Sequence, residues 1–226
     1  MSGIEISKRL VFANALSSIL RKVLVAGVLV WVTQLYVRRL DPEELVLLTL
    51  TGTLMVAFPL IPSMFAAGLR RYITDAYARH DEREVTSIVS TMAPVLWLAA
   101  GSTLLLGGIC SLVIDCLVRI EPELVGKARL MLALMMLSMA LRFAAAPFGL
   151  GFDLKQRFAL RNAIGLGAEV FKTLLLIWLL SIRVDVLWIV VANTVATVIE
   201  LTVTTAISRR LVPALRLESG ARRPGT

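Results

Sequence analysis

The chain has 226 residues, 58% of them hydrophobic, and its 24 Lys and Arg residues exceed its 16 Asp and Glu residues to give a net charge of +8. This composition excludes a soluble nucleic-acid-binding domain, because no separate basic module with interleaved aromatic side chains is present. A mean hydropathy of +0.81 indicates instead a protein that is embedded in a lipid bilayer.

Six apolar segments are each longer than the ~20 residues that a helix needs to cross a hydrocarbon core of ~30 Å. They cover approximately residues 13–37, 43–69, 85–118, 123–149, 157–182 and 184–211. The predicted fold class is therefore all-α, with residues 1–212 forming one lobe of six transmembrane helices. Residues 213–226 begin at Pro213 and are rich in Gly and Arg, so we expect a disordered cytoplasmic tail.

The first predicted span carries polar side chains near its start. Asn14, Ser18 and Arg21 share one helix face, and Lys22 follows directly. The two cations either snorkel to the cytoplasmic interface or face a vestibule that attracts phosphate. No small-residue cleavage site follows the apolar run, so we expect this segment to be a retained helix and not a signal peptide.

The second predicted span contains Pro59 and Pro62 and continues into an amphipathic segment over residues 70–84. That segment is typical of a helix that lies along the lipid headgroups, as an anchor or in contact with lipid phosphate. The third predicted span holds both cysteines, Cys110 and Cys116, on different helix faces and without a nearby histidine. We therefore predict neither a disulfide between them nor a metal site.

Charges inside the later spans need a reason, because a charge at the bilayer centre costs at least ~2.5–3.5 kcal/mol. Arg142 in the fourth span has no acidic residue one helical turn away, so it must meet an acid on another helix, a water-filled cavity or an anionic substrate. Glu169 and Lys172 in the fifth span are three residues apart, which allows an ion pair on one helix face. That pair is either structural or part of a cavity that reorganises during transport.

The sixth predicted span carries a polar stripe at helical spacing. Asn193, Thr197, Glu200 and Thr204 share one face. The stripe is either a seam that faces the bundle or a site for a cation or proton around Glu200, with Asn193 as a further candidate.

The distribution of basic residues predicts the orientation. Most Lys and Arg residues fall in the terminal segments and in the loops near Arg70 and Lys155, which all lie on one side of a six-span topology. The positive-inside rule assigns that side, and with it both termini, to the cytoplasm.

Several short motifs occur in an order and spacing that resemble a known family. They are Asn14 with Arg21-Lys22, Arg38-Arg39-Leu40-Asp41-Pro42-Glu43-Glu44, Gly68-Leu69-Arg70-Arg71-Tyr72-Ile73, Ala78-Arg79-His80-Asp81-Glu82, Pro147-Phe148-Gly149, and Gln156-Arg157-Phe158-Ala159-Leu160-Arg161-Asn162. This set resembles the N-terminal lobe of bacterial oligosaccharide flippases, the polysaccharide-transport branch of the multidrug/oligosaccharidyl-lipid/polysaccharide exporter superfamily. The family's usual glycine after the acidic pair is replaced here by Leu45-Val46.

The resemblance implies a six-helix lobe, normally one of two, with a central basic cavity for the pyrophosphate of a polyprenol-linked glycan in the bacterial inner membrane. Arg21 and Lys22 match positions where such proteins carry cavity charge. Arg142 and Lys172 are further cavity candidates because they are intramembrane cations. A second lobe would come from a second copy of the chain or from another protein, and Asn14, Glu169, Asn193 and Glu200 are the candidate ion-coupling residues.

Two other functions stay open at this point. A cation or drug exporter of the same superfamily would have a cavity dominated by carboxylates, and a non-transporting scaffold or half-length remnant would need no cavity. An enzyme is not expected, because the single histidine, His80, lies in a charged loop without a catalytic partner. No cofactor or metal is expected either, and the absence of a phosphate-binding glycine loop argues against use of ATP.

Overall fold

The computed structural model describes residues 8–58, 60–117 and 120–217. These residues are predominantly helical and contain no β-strand. The helices are α1 (Lys8–Val37), α2 (Pro42–Ala57), α3 (Leu60–Ala78), α4 (Glu82–Leu112), α5 (Ile114–Leu117), α6 (Pro122–Ala145), α7 (Gly151–Leu154), α8 (Phe158–Ile182) and α9 (Leu187–Leu211), with a 3₁₀ turn at Ala146–Phe148.

Within the described residues, four helical segments are long and apolar enough to cross a membrane. They are α4, the run Pro122–Leu154 that contains α6 and α7, α8, and α9. Four such segments in one short chain are the mark of a membrane-embedded helical protein. The count of six spans stays a prediction.

The second predicted span differs from the expected single helix, since α2 ends at Ala57 and α3 begins at Leu60. The break falls beside Pro59 in the sequence, and proline lacks the N–H that a continuing helix needs. The amphipathic segment is helical as far as Ala78, but its apolar face packs against protein. Ile73 and Ala76 are fully buried in a core that includes Val85 of α4.

Two further helix ends fall before the predicted boundaries. Helix α4 stops at Leu112, and the short helix α5 follows it. Helix α6 stops at Ala145, where the 3₁₀ turn that contains Pro147 begins. Pro147 thus lies in the first turn of a new element, where its missing N–H leaves no intrahelical acceptor unsatisfied.

Helix α6 is central: it packs on α4 along one side and on α9 along the other, while α8 packs on α9 and α1. Its two halves belong to two apolar cores. The first core joins the C-terminal half of α6 to α3 and α4, and the second joins its N-terminal half to α1, α8 and α9. Completely buried members are Ile73 and Val89 in the first core, and Val186 and Val190 in the second.

The start of the predicted disordered tail is ordered. Leu215 is completely buried in the first core, and Thr86 Oγ1 of α4 donates a hydrogen bond of 2.9 Å to the carbonyl oxygen of Ala214. Burying a leucine side chain stabilises a fold by about 1.5–3 kcal/mol, which is enough to hold a short segment in place. Residues 218–226, the rest of the predicted tail, lie outside the described part of the chain.

Candidate functional site

A seam of polar side chains joins α6 to α9 between the two apolar cores. Ser138 donates a 3.1 Å hydrogen bond to Thr194 Oγ1, and both residues are buried. One turn further along each helix, Arg142 Nη2 donates a 3.2 Å hydrogen bond to Thr197 Oγ1. Residues one turn apart lie on the same face of a helix, so these contacts run along one line. We call these residues, together with Glu200, the α6–α9 seam.

Arg142 meets an acid of the neighbouring helix, one of the partners that the sequence left open. Its Nη2 lies 3.9 Å from Glu200 Oε2, and the two side chains are 31% and 26% exposed. A charge-assisted hydrogen bond is normally about 2.7–2.9 Å long. The pair is therefore an electrostatic contact without a direct hydrogen bond, and Arg142 keeps donor capacity for another acceptor.

A cavity of about 150 Å³ lies beside the seam, between α3, α6, α8 and α9. Three arginines line it, Arg70, Arg142 and Arg161, together with small and apolar residues such as Ala66 and Leu201. We call it the arginine cavity. Of the cations that the sequence assigned to a substrate cavity and whose side chains the structure describes, Arg142 lines this one, whereas Lys22 and Lys172 do not.

Asp153 of α7 holds the other two arginines of this cavity. Its side chain is only 5% exposed, and its oxygens lie 3.1 Å from Arg70 Nε and 3.0 Å from Arg161 Nη1. Sequence reasoning missed this cluster because all three residues fall in predicted loops or at the ends of predicted spans, where charges are ordinarily solvated. The one available signal was an acidic residue inside the basic segment between the fourth and fifth spans.

The position of Asp153 depends on a close approach between α7 and α9. The backbone N–H of Gly151 donates a 2.8 Å hydrogen bond to Ser208 Oγ. A Cβ atom on Gly151 would lie 2.5 Å from the Ser208 carbonyl oxygen, a backbone atom that cannot rotate away. Only glycine fits there, and it sets α7 at the height at which Asp153 reaches both arginines.

The charges around the arginine cavity favour an anion. Three guanidinium groups face two carboxylates, those of Asp153 and Glu200, which leaves one positive charge. Guanidinium groups bind phosphate oxygens through pairs of parallel hydrogen bonds, and such bonds gain strength where water is scarce. The cavity can therefore attract a phosphate or diphosphate group.

A second polar cavity, about 100 Å³ in volume, lies between α1, α8 and α9. Lys172 Nζ and Glu169 Oε1 form an ion pair of 2.5 Å in its wall, so the predicted pairing is present. Asn193 and Tyr36 also line this cavity, and the buried Tyr36 hydroxyl has no hydrogen-bond partner among the described residues. Because the pair neutralises itself, Lys172 adds no net positive charge here.

The remaining predicted site residues are in α1. Lys22 is exposed on the surface of the lobe. The side chains of Asn14 and Arg21 lie outside the described part of the structure. The predicted site residues therefore lie in two separate places. Arg142 and Glu200 belong to the seam, whereas Glu169, Lys172 and Asn193 line the second cavity.

A buried ion-pair cluster at the opposite end of α6 was also missed from the sequence. Lys127 Nζ contacts Glu44 Oε1 at 2.5 Å and Asp185 Oδ2 at 3.0 Å, and both acidic residues are buried. The second oxygen of Asp185 accepts a 2.9 Å hydrogen bond from the backbone N–H of Leu187, at the start of α9. The cluster ties the first turns of α2, α6 and α9 together.

Among the described residues, no group of His, Cys, Asp and Glu side chains is arranged to hold a metal ion. No protein-family model, no curated protein and no solved structure matches the chain.

Proposed function

We propose that the chain is one lobe of a transporter that flips polyprenol-pyrophosphate-linked oligosaccharide across the bacterial inner membrane for cell-surface polysaccharide synthesis. The observation that carries the proposal is the arginine cavity, with its excess of one positive charge. A diphosphate is the group that such lipid-linked glycans share whatever their sugars. A site for it needs cations at membrane depth, and such cations are retained only where they have a use.

The depth of the three arginines fits a substrate that enters from one side. Arg70 and Arg161 are the more exposed, with 45% and 41% of their side chains accessible. The Arg142 side chain is 31% accessible and lies in the α6–α9 seam. Arg70 and Arg161 belong to the end of the bundle that carries most of the basic residues, which the positive-inside rule assigns to the cytoplasm. A diphosphate would meet Arg70 and Arg161 first and Arg142 second.

Arg142 is the residue whose partner would change on binding. A diphosphate oxygen at hydrogen-bond distance would compete with Glu200, which lies 3.9 Å away, more readily than with Asp153, which holds its arginines at 3.0–3.1 Å. Glu200 would then lose the contact with its positive neighbour Arg142. This exchange offers a route for coupling substrate binding to an ion.

A second lobe is part of the proposal, because a single lobe leaves the cavity arginines partly exposed. Six spans would return the chain to its starting side, so a second copy could be related by a two-fold axis along the membrane normal. Helix α8 exposes Ala163 and Gly167 on the lobe surface, and a Cβ on Gly167 would meet no atom within 4 Å. Small exposed residues of this kind allow close helix packing.

The charge distribution disfavours a cation or drug exporter. Glu169 is paired with Lys172, and Glu200 faces Arg142, so each of these carboxylates already has a positive neighbour. A non-transporting scaffold or half-length remnant would have no use for the arginine cavity and would not bind a diphosphate selectively.

Binding of farnesyl diphosphate, a short soluble analogue of the lipid carrier, tests the proposal. The full chain is purified in detergent and titrated with farnesyl diphosphate and with farnesol. We expect Arg142→Gln to weaken diphosphate binding by roughly 10- to 100-fold, the equivalent of losing ~1.5–3 kcal/mol of charge-assisted hydrogen bonding.

The control variant is Arg38→Gln, which removes the same charge from an exposed residue between α1 and α2 and should bind the diphosphate like the unmodified chain. Equal affinities for the two variants, or equal binding of diphosphate and farnesol, would contradict the proposal.

A further inference from the structure

A groove on the lobe adjoins the arginine cavity along α6 and α9. It is about 520 Å³ in volume and runs between α4, α6 and α9. Its walls are mostly apolar, and among the described residues that line it Arg209 is the only charged one. We call it the α9 groove. It shares the wall residues Ala145, Leu201 and Thr205 with the arginine cavity, but none of the three cavity arginines lines it.

The dimensions of the α9 groove match one leaflet of a bilayer. Its lining on α9 extends from Val198 to Arg209. At 1.5 Å per residue this stretch is ~16 Å long, about half of a ~30 Å hydrocarbon core. The groove is therefore as long as the acyl region of a single lipid, and its charged end coincides with the basic end of the bundle.

Arg209 is oriented by the groove itself. Its guanidinium carbon lies 4.3 Å from the centroid of the Phe148 ring, and Phe148 is a buried wall residue. Stacking on a ring fixes the guanidinium plane while its edge stays free to donate hydrogen bonds. Among the described residues no carboxylate forms an ion pair with Arg209, so the groove ends in an uncompensated positive charge.

We propose that the α9 groove is a binding site for an anionic phospholipid of the cytoplasmic leaflet, with an acyl chain along α9 and the phosphate on Arg209. An apolar channel one leaflet long that ends in a single ring-stacked arginine fits this chemistry and does not fit a zwitterionic or neutral lipid equally well. A basic residue near the membrane surface contributes ~1 kcal/mol to binding of an anionic lipid, which corresponds to a preference of about fivefold. The substrate diphosphate is not the expected occupant, because none of the three arginines of the arginine cavity lines the groove.

Trp97 provides a direct probe of the groove. It lines the groove, its side chain is accessible, and its Nε1 donates a hydrogen bond to the Ala144 carbonyl oxygen at 3.4 Å. The full chain with Trp31, Trp178 and Trp188 changed to Phe is placed in nanodiscs of phosphatidylglycerol and phosphatidylcholine, with one lipid brominated at a time. We expect brominated phosphatidylglycerol to quench Trp97 with an apparent affinity about fivefold above that of brominated phosphatidylcholine.

Three variants distinguish a specific lipid site from general attraction between opposite charges. Arg209→Gln should abolish the fivefold preference, whereas Arg210→Gln removes the adjacent exposed charge that does not line the groove and should keep it. Ala206→Phe, which fills the groove and leaves Arg209, should reduce quenching by both lipids. Equal effects of Arg209→Gln and Arg210→Gln on the preference, or unchanged quenching by both lipids in Ala206→Phe, would overturn the proposal.

Native mass spectrometry tests the proposal on the unsubstituted chain, so its result does not depend on whether a variant folds. After delipidation and exposure to an equal mixture of the two lipids, we expect a retained phosphatidylglycerol molecule in preference to phosphatidylcholine. Equal retention of the two lipids would overturn the proposal. Displacement of the retained lipid by farnesyl diphosphate would also overturn it and assign the groove to the substrate.

Discussion

Arg142 Nη2 lies 3.9 Å from Glu200 Oε2, whereas Asp153 holds Arg70 and Arg161 at 3.1 Å and 3.0 Å. This difference separates the arginines of one cavity into two kinds. Arg70 and Arg161 are fixed by a buried carboxylate, and Arg142 is held by a hydroxyl and a distant acid. Arg142 is therefore the arginine that can change partners at the lowest cost in free energy.

Asp153→Asn should destabilise the lobe, because two guanidinium groups would lose their carboxylate. Their partial exposure allows water to replace part of the interaction, so we expect a loss of ~1–3 kcal/mol in the free energy of unfolding. Asp75→Asn is the matched control, since Asp75 pairs with Arg79 on the surface and should change stability by less than ~1 kcal/mol. Thermal unfolding in detergent measures both, and equal shifts in Tm would show that Asp153 is not a structural anchor.

Gly151→Ala should lower Tm much more than Gly167→Ala. The added methyl group on Gly151 would lie against the Ser208 backbone, while the one on Gly167 would meet open space. Alanine in an exposed helix interior is favoured over glycine by roughly 0.5–1 kcal/mol, so Gly167→Ala should be neutral or stabilising. A normal Tm for Gly151→Ala would mean that α7 approaches α9 less closely than described.

The Glu169–Lys172 pair should show strong coupling in a double-mutant cycle. Removing one partner leaves an uncompensated charge, and because the two side chains are still 28% and 22% exposed we expect a cost below the ~3–5 kcal/mol typical of a fully buried pair. Glu169→Gln combined with Lys172→Met should therefore fold better than either single variant. If the double variant also transports normally, the pair is only structural. Additive losses of stability would show that the two side chains do not interact.

A homodimer predicts crosslinks between copies of α8. Single cysteines at Ala163 and Gly167, both exposed on the surface of the lobe, should form disulfides between chains in native membranes under mild oxidation. The background is set by a variant from which Cys110 and Cys116 have been removed. Absence of crosslinks at both positions, while pairs of cysteines placed across the α6–α9 contact crosslink within one chain, would exclude this interface.

The sequence was most informative where a charged residue lies within a long apolar segment. Arg142 and Glu200 were identifiable because a charge in a long apolar segment needs a partner, and the structure brings the two together. Asp153 and Lys127 were not identifiable, because charges at helix ends are usually solvated. Their burial depends on contacts between distant segments, such as that of Lys127 with Asp185.

Helix boundaries likewise were predictable in part from the sequence. The apolar runs predicted helices near the observed ones, but the run over residues 43–69 concealed a break beside Pro59. Hydropathy responds to the environment of side chains, whereas a break follows from a missing backbone donor. The burial of Leu215 in the first core likewise depends on its contact partners in the folded lobe, which composition does not reveal.

Flipping of a fluorescent polyprenol-pyrophosphate-linked oligosaccharide in proteoliposomes tests the proposed function most directly. The rate is measured by protection of the labelled glycan from a membrane-impermeant quencher, at matched protein levels for each variant. A flippase lobe in which Arg142 binds the diphosphate predicts a rate above that of empty liposomes, a similar rate for Arg38→Ala, and at least about tenfold slower flipping for Arg142→Ala. Flipping by Arg142→Ala at the rate of Arg38→Ala, or no flipping by the unmodified chain above empty liposomes, would contradict it.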